Sequence, residues 1–308
     1  MLVLLFGLLA GCAGSAGNTG SENTGSEESA ENAENADSDG HQAAAEEFHI
    51  AVIPAQNQGD MQLAMNKLAD ILREKLNRDV TINVYPDYNG VVEAMNFGQV
   101  DMAYFGPLTY VIAHHQSGAE AIVTQLIKGE PFYYSYIITH KDHPWSSLDE
   151  LLADPSRISF AFGDINSTSG SLIPGIELKA RGVYTDEQTH RFKELRFTGS
   201  HDVTALAVQN KQVDAGAIDS AIYDSLIEQG KIDGDAFKII WQSEKLFQYP
   251  WAVKKGTDEE TIRLLREAFL GVQDEDVLHA FGASGFTEAS DADYETIRQA
   301  AEQEGKLE

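Results

Sequence analysis

Three consecutive hydroxyl side chains, Ser167, Thr168 and Ser169, precede Gly170 and an apolar segment with helical spacing. A short apolar strand at 158–162 comes just before them, so this turn opens a helix. It offers hydroxyl donors beside unpaired backbone N–H groups at the positive end of the helix dipole. An ordinary serine-rich N-cap is the alternative, but a cap needs only one such residue. Three in succession before a glycine favour an oxyanion site.

The elements that must position this turn alternate between strand and helix. Residues 48–53 read as a strand, 61–76 carry apolar residues at helical spacing, and 80–85 alternate as a strand does. A second set of strand and helix units follows residue 158. This pattern predicts an α/β fold with mostly parallel sheets, in which ligands bind at the carboxyl ends of strands.

Two strand-like runs, 132–140 and 249–254, read as crossings between two lobes. A chain that leaves one α/β lobe, builds another and returns would place a ligand cleft between them. We therefore predict a first lobe of residues 48–138 plus 250–308 and a second lobe of residues 139–249. The last helical segments should pack on the first lobe.

The segment before residue 48 reads as targeting sequence. Residues 2–10 are apolar, too few to span a bilayer and typical of a signal peptide. Residues 9–12 (Leu-Ala-Gly-Cys) resemble a lipobox, so we expect residues 1–12 to be a lipoprotein signal peptide with Cys12 as the lipidated residue. A chance cysteine in a signal peptide cleaved elsewhere is the alternative. No Lys or Arg precedes the apolar run, which points to a start upstream of Met1.

Residues 13–47 contain no aromatic residue, no Lys and no Arg, so they predict a disordered acidic tether. The formal net charge of -27 disfavours binding to nucleic acid. The single cysteine excludes an intrachain disulfide. Together these features predict an extracytoplasmic protein, lipid-anchored in the periplasm or on the outer face of the cytoplasmic membrane.

Four segments resemble, in order and spacing, the phosphonate/phosphite/phosphate-binding proteins of ABC transporters. They are residues 86–90, 99–106, 166–170 and 205–214. The resemblance implies a two-lobed periplasmic-binding-protein fold of type II, with two interlobe crossings and an interlobe ligand cleft. It implies binding without catalysis, so we expect no enzyme activity and no cofactor. The expected partners of this monomer are a phosphorus oxyanion and the transmembrane subunits of an ABC permease.

The resemblance also implies which groups hold the ligand. Carried over position by position, they are the hydroxyls and amides of Ser167, Thr168 and Ser169, the phenols of Tyr88 and Tyr133, and the imidazole of His201. Hydroxyls and phenols donate to a dianion without the burial of a full cation, and a histidine near its ordinary pKa can add a charge-assisted bond. Further candidates for ligand contact are Phe105, Gly170, Asp219 and Tyr249.

The sequence departs from family members that take aminoalkylphosphonates. Those proteins receive the ligand's ammonium on acidic residues, whereas the corresponding places here hold Ala221 or a neighbour, and Tyr249. Asp219 is close in sequence and could compensate. We predict a ligand with a small or absent organic group, namely phosphite, methylphosphonate or phosphate. Phe105 could abut the P–H or P–CH3 group, with core packing as the alternative.

Other functions are also compatible with the sequence. A serine hydrolase would use Ser167 and His201 with Asp202 or Asp219, although no Gly-x-Ser-x-Gly motif is present. The same fold could instead bind a sulfonate or nitrate.

A metal-binding receptor would use the histidine pairs 114–115 or 140 and 143. Neither pair has an acidic third ligand in register, so we expect no metal site.

Overall fold

The computed structural model describes residues 47–56 and 58–307, with the backbone alone for residues 58–61. The predicted signal peptide with Cys12, and all but the last residue of the predicted tether, lie outside the described residues. Within the described part, no helix is long and apolar enough to cross a membrane.

Strands and helices alternate along most of the chain. The strands are β1 (Phe48–Val52), β2 (Val80–Val84), β3 (Met102–Tyr104), β4 (Glu120–Leu126), β5 (Phe132–Tyr133), β6 (Ser135–His140), β7 (Ser159–Phe162), β8 (Glu194–Phe197), β9 (Ala215–Asp219), β10 (Phe237–Gln242), β11 (Leu246–Phe247), β12 (Pro250–Val253) and β13 (Gly285–Glu288). The α-helices are α1 (Gln58–Leu76), α2 (Tyr88–Asn96), α3 (Pro107–Ser117), α4 (Leu148–Leu151), α5 (Ile173–Ala180), α6 (His201–Gln209), α7 (Ser220–Glu228), α8 (Glu259–Leu270), α9 (Glu275–Ala280) and α10 (Glu295–Gln303). A π-helical turn, Thr168–Leu172, leads into α5.

Two larger sheets organise these elements. The first has the strand order β13-β4-β12-β3-β1-β2, and the second has the order β10-β6-β9-β7-β8. Both are mixed, because β12 runs antiparallel to β3 and β4, and β6 runs antiparallel to β9 and β10. The expectation of mostly parallel pairing is therefore wrong, because antiparallel pairs outnumber parallel ones in these two sheets. The strands that run against the others are β6 in the second sheet and β12 and β13 in the first.

The outgoing and returning segments lie side by side, but the return begins earlier than predicted. β5, within the predicted run 132–140, forms a separate antiparallel pair with β11, which precedes the predicted run 249–254; Tyr133 faces Leu246 and Phe132 faces Phe247. Only Tyr134 separates β5 from β6, and Ser135 already pairs with Asp219 in the second sheet. The chain therefore passes from this pair into the second sheet within one residue, beside its own return strand. The lobe boundaries themselves stay a prediction.

Aromatic side chains fill the core on both sides of this passage. Trp251 of β12 is fully buried, with its ring centroid 4.9 Å from those of Tyr104 and Phe269. In the second sheet, Phe160 and Phe162 of β7 pack against each other at 5.0 Å. Burial of each such ring contributes roughly 1.5–3 kcal/mol, which holds the strand ends that carry the polar residues described next.

Candidate functional site

The turn after β7 opens a helix, as predicted. Ser167 is its N-cap, and the Ser167 hydroxyl accepts a hydrogen bond from the Gly170 N–H at 3.0 Å. A side chain at Gly170 would meet Ser167 Oγ at 2.9 Å and the His201 ring at 3.1 Å, so this position requires glycine for close approach. Ser167, Thr168 and Ser169 are all buried.

The three hydroxyls have different partners. That of Ser167 caps its own helix, whereas Thr168 Oγ1 accepts a hydrogen bond from the Leu108 N–H at the start of α3, at 2.8 Å. Because α3 packs with the first sheet, Thr168 links the two halves of the fold. The Ser169 hydroxyl has no hydrogen-bond partner among the described residues.

Two buried tyrosines bring further hydroxyls to this turn. Tyr88 begins α2 directly after its N-cap, Asp87, and Tyr133 ends β5. Each is 1% exposed, and neither hydroxyl has a hydrogen-bond partner within the described chain. Burial raises the pKa of both phenols well above its ordinary value, while Ser167 lies close enough to lower that of Tyr88 and Ser169 that of Tyr133. The phenols are therefore neutral donors beside the serine turn.

His201, the first residue of α6, completes the group, and its proton can be placed. The backbone N–H of Asp219 donates to His201 Nδ1 at 3.3 Å, so the proton of the neutral ring is on Nε2. Nε2 lies 3.5 Å from Ser167 Oγ and 3.2 Å from the Tyr249 hydroxyl. Burial lowers the pKa of His201 to about 3. The expectation of a histidine near its ordinary pKa is thus wrong, because desolvation keeps this one neutral.

We call Tyr88, Tyr133, Ser167, Thr168, Ser169 and His201 the cage. The structure brings all of these predicted site residues together, and none of them is a Lys or Arg. Helices α2 and α6 and the helix after Ser167 begin with cage residues, so their positive dipole ends converge there. Neutral donors and helix dipoles make a site suited to an anion.

Asp219 and Tyr249 lie beside the cage. Asp219 ends β9, and its carboxylate accepts from the N–H groups of Ala221 at 2.7 Å and Ile222 at 3.0 Å, which caps α7. Burial raises the pKa of Asp219 to about 7, although the hydrogen bonds from the N–H groups of Ile222 and Ala221 oppose this shift. Burial also raises the pKa of Tyr249, and the Asp219 charge adds to that effect.

A narrow cavity adjoins this pair, and sequence reasoning missed two of its residues. Besides Asp219 and Tyr249, it is lined by Gln56 and Gln248. Both glutamines are buried, and each has one amide atom without a hydrogen-bond partner in the described chain. Gln56 follows the carboxyl end of β1, where the strand-end rule could have found it. For Gln248, the only feature of the sequence that pointed to the site was its position directly before Tyr249.

Phe105 is fully buried in the core of the first sheet, which is the packing role given above as the alternative. It precedes Gly106, where an added Cβ would lie 3.6 Å from the Tyr88 ring. Contact of Phe105 with a ligand stays a prediction.

The geometry does not make a hydrolase triad. With its proton on Nε2, His201 cannot accept one from Ser167, and its Nδ1 accepts from a backbone N–H where a triad histidine donates to a carboxylate. Asp202 accepts a hydrogen bond from Ser200 Oγ at 2.6 Å. The two carboxylates considered for a triad therefore serve other groups.

The described ranges, 47–56 and 58–307, hold no cluster of three potential metal ligands among His, Cys, Asp and Glu. His114 hydrogen-bonds to the Ala119 carbonyl through Nδ1 at 2.8 Å. His143 stacks on Trp145, with ring centroids 4.9 Å apart.

Known proteins resemble this chain over nearly all of its described length. A family model described as "ABC transporter, phosphonate, periplasmic substrate-binding protein" matches residues 50–294. The phosphate-import protein PhnD of Mycolicibacterium smegmatis is 30% identical, over 84% of this chain and 86% of the relative. The phosphonates-binding periplasmic protein of Escherichia coli is 28% identical, over 86% of this chain and 79% of its own. The crystal structure of a binding-protein component of a phosphonate ABC transporter from Pseudomonas aeruginosa superposes with a TM-score of 0.76 at 27% identity, covering 85% of this chain and 87% of the other.

Proposed function

Because the chain belongs to the family of periplasmic substrate-binding proteins of phosphonate ABC transporters, we propose that its cage captures a small phosphorus oxyanion for delivery to the permease. The predicted family is thereby confirmed, as is the two-lobed type II fold with two interlobe crossings. Proteins of this family bind and hand over a solute outside the cytoplasm and are not enzymes.

One observation carries the proposal for the cage. The hydroxyls of Tyr88, Tyr133 and Ser169 are buried, converge on one helix start, and have no hydrogen-bond partner in the described protein. Buried polar groups are almost always paired, because an unpaired one costs about 1–3 kcal/mol. A tetrahedral oxyanion offers several acceptor oxygens to such donors at once, and His201 Nε2–H and the first backbone N–H groups of the helix add to them.

The surroundings favour a small substituent on phosphorus. An ammonium group would need a carboxylate, but the two places expected for one hold Ala221 and Tyr249. Asp219 already accepts hydrogen bonds from the first N–H groups of α7. The relatives are named for phosphonates in one case and phosphate in the other, so membership alone does not choose the ligand.

Isothermal titration calorimetry on ligand-depleted protein tests the ligand class. We expect binding of phosphate, phosphite or methylphosphonate, and weaker or undetectable binding of 2-aminoethylphosphonate, sulfate, nitrate and an alkylsulfonate. Tighter binding of a sulfonate or nitrate would show that the ligand is not a phosphorus oxyanion. Tighter binding of 2-aminoethylphosphonate would indicate that Asp219 provides the carboxylate for the ligand's ammonium group.

Substitutions in the cage test whether its residues bind the ligand. Ser169→Ala and Tyr133→Phe each remove one donor, so we expect each to weaken the best ligand by about tenfold or more. Ser171→Ala, in the same turn, and Tyr184→Phe, half-buried in the second sheet's core, are the matched controls. Equal losses in cage and control variants would remove these residues from the site.

We further propose that a lipid on Cys12 tethers this monomer to the membrane beside its permease. The lipobox-like residues 9–12 and the acidic stretch that follows support this. When the full chain is expressed in a bacterial host, Cys12→Ser should move it from the membrane fraction to the soluble extracytoplasmic fraction. Unchanged membrane association would contradict the anchor.

A further inference from the structure

The helix that carries the serine turn begins with a wide, π-helical turn, a rare conformation. The Leu172 N–H donates to the Ser167 carbonyl at 3.0 Å, five residues back. The Ile173 N–H likewise donates to the Thr168 carbonyl. In an α-helix these bonds reach back only four residues, and the Ser167 carbonyl would take the N–H of Ser171. The wide turn therefore releases the Ser171 N–H from the first bond of the helix.

Pro174 explains why this turn is wide. A proline has no N–H, so it cannot donate to the Gly170 carbonyl four residues back, and its ring would crowd that carbonyl in an α-helix. The Gly170 carbonyl instead accepts the N–H of Gly163, in the loop after β7, at 2.8 Å. The loop comes so close that a Cβ on Gly163 would lie 3.3 Å from the Gly170 Cα. One proline and two glycines thus account for the wide turn.

Ser135 holds a second carbonyl of the turn. The donor that an α-helix would offer to the Ser169 carbonyl, the Ile173 N–H, goes to Thr168 instead. The next residue, Pro174, has no N–H to offer. The Ser135 hydroxyl, fully buried in β6, donates to the Ser169 carbonyl at 2.6 Å. Because Ser135 is the first residue of β6, this bond ties the crossing segment to the serine turn.

The released N–H lies in the turn that the cage surrounds. N–H groups in the first turn of a helix point toward its N-terminal end, which here is Ser167. The Gly170 N–H is occupied by the Ser167 hydroxyl. Ser171 is buried, and the Ser169 hydroxyl in the same turn has no hydrogen-bond partner in the described chain. An anion at this end of the helix would therefore meet the Ser171 N–H as well.

We propose that the wide turn, shaped by Pro174 and held by Ser135, adds the backbone N–H of Ser171 to the groups that bind the oxyanion. Ser171 then binds through its main chain, and Pro174 and Ser135 are positioning residues. This inference rests on the proposed function and adds a donor to its site. The N–H meets an oxygen that phosphate, phosphite and methylphosphonate all carry, so it strengthens the binding of all three.

Solution NMR on nitrogen-15-labelled protein tests the contact directly. With phosphate, phosphite and methylphosphonate added in turn to saturation, a scalar coupling through the hydrogen bond should join the Ser171 amide nitrogen to the phosphorus of the bound ligand. Binding without a coupling at Ser171 would overturn the inference and leave the proposed function standing. Failure of all three ligands to bind would instead overturn the proposed function.

Two variants test the positioning residues by calorimetry. Pro174→Ala restores a donor to the Gly170 carbonyl, and Ser135→Ala leaves the Ser169 carbonyl free for an α-helical bond. Each should weaken all three ligands by about tenfold or more, because a hydrogen bond to a charged group is lost. The Tm of ligand-free Pro174→Ala should stay near that of wild type, whereas a merely structural role would lower Tm and affinity together. Wild-type affinity in both variants would overturn the roles of Pro174 and Ser135. If either variant fails to fold, the coupling at Ser171 decides.

Pro155→Ala and Thr139→Val are the matched controls. Pro155 is a buried proline that begins a short helical turn. The Thr139 hydroxyl is buried in the same strand as Ser135 and also donates to a backbone carbonyl, that of Asp214, at 2.6 Å. Both controls should bind like wild type. Ser171→Ala keeps the main-chain donor, so it still serves as the control for the cage side chains.

Discussion

His201 and Asp219 are buried side by side, joined by the hydrogen bond from the Asp219 N–H to His201 Nδ1, and burial moves their pKa values in opposite directions. The pKa of His201 falls from 6.5 to about 3, so the folded protein binds fewer protons there than the unfolded chain. Its contribution to the free energy of unfolding therefore rises with pH across that window. The pKa of Asp219 rises from 3.8 to about 7, so the folded protein holds a proton that the unfolded chain has lost. Its contribution falls as pH rises from about 4 to about 7, which offsets that of His201.

Asp219→Asn should reveal how much Asp219 contributes to the pH dependence of the free energy of unfolding. Relative to wild type, the free energy of unfolding of the variant should rise between about pH 4 and 7 and then level off. The change should be on the order of a few kcal/mol. Urea unfolding of ligand-free protein at a series of pH values measures it.

Asp233→Asn is the matched control for that experiment, because Asp233 is an exposed carboxylate that also caps a short helical turn. A difference between Asp219→Asn and wild type that stays constant with pH would mean that ionisation of Asp219 is not coupled to folding.

Helix starts are the elements that sequence reasoning predicted best. The serine turn does open a helix, and the helical spacing predicted over 61–76 lies within α1. Both are encoded locally, by capping residues and by the spacing of apolar side chains. The same local rules found Ser167, Thr168 and Ser169, whereas Tyr88, Tyr133 and His201 came from the family resemblance.

Strand pairing was harder to predict because it joins distant segments. β4 and β13 were not predicted, and they pair with each other across more than a hundred residues. β5 and β11 are two residues each, too short to give a period-2 pattern. The protonation of His201 has the same origin, since it depends on a backbone N–H 18 residues further along the chain. Gln248, between β11 and β12, becomes visible as a site residue only when those strands are placed in the fold.

At the scale of the whole molecule, cage residues also hold the two halves of the fold together. Thr168 Oγ1 bonds the start of α3, and the His201 backbone N–H donates to the Ala55 carbonyl at 3.1 Å. At the far edge, Lys179 pairs with Glu304 at 2.9 Å. Because the chain passes between the sheets at one point beside its return strand, these bonds would break if the lobes parted there. Lobe closure would therefore depend on residues that are also proposed to hold the ligand.

We expect ligand to close the lobes. Small-angle X-ray scattering should give a smaller radius of gyration for ligand-saturated protein than for ligand-depleted protein. Thr168→Val keeps the side-chain shape but removes the acceptor for Leu108, so it should weaken ligand binding by about tenfold. At saturating ligand the variant should still compact. Identical scattering with and without ligand would argue against closure in wild-type protein.

The absence of Lys and Arg from the cage has a consequence for transport itself. With no Lys or Arg in the cage, the bound anion would be held by neutral donors and would form no ion pair there. For a fixed protonation of Asp219, a loaded molecule is more negative than an empty one by the full charge of its cargo. Separation of the lobes would return the anion to water with no ion pair to break. Ligand binding would therefore change the electrophoretic mobility of the protein. Opening of the lobes would be enough to release the ligand.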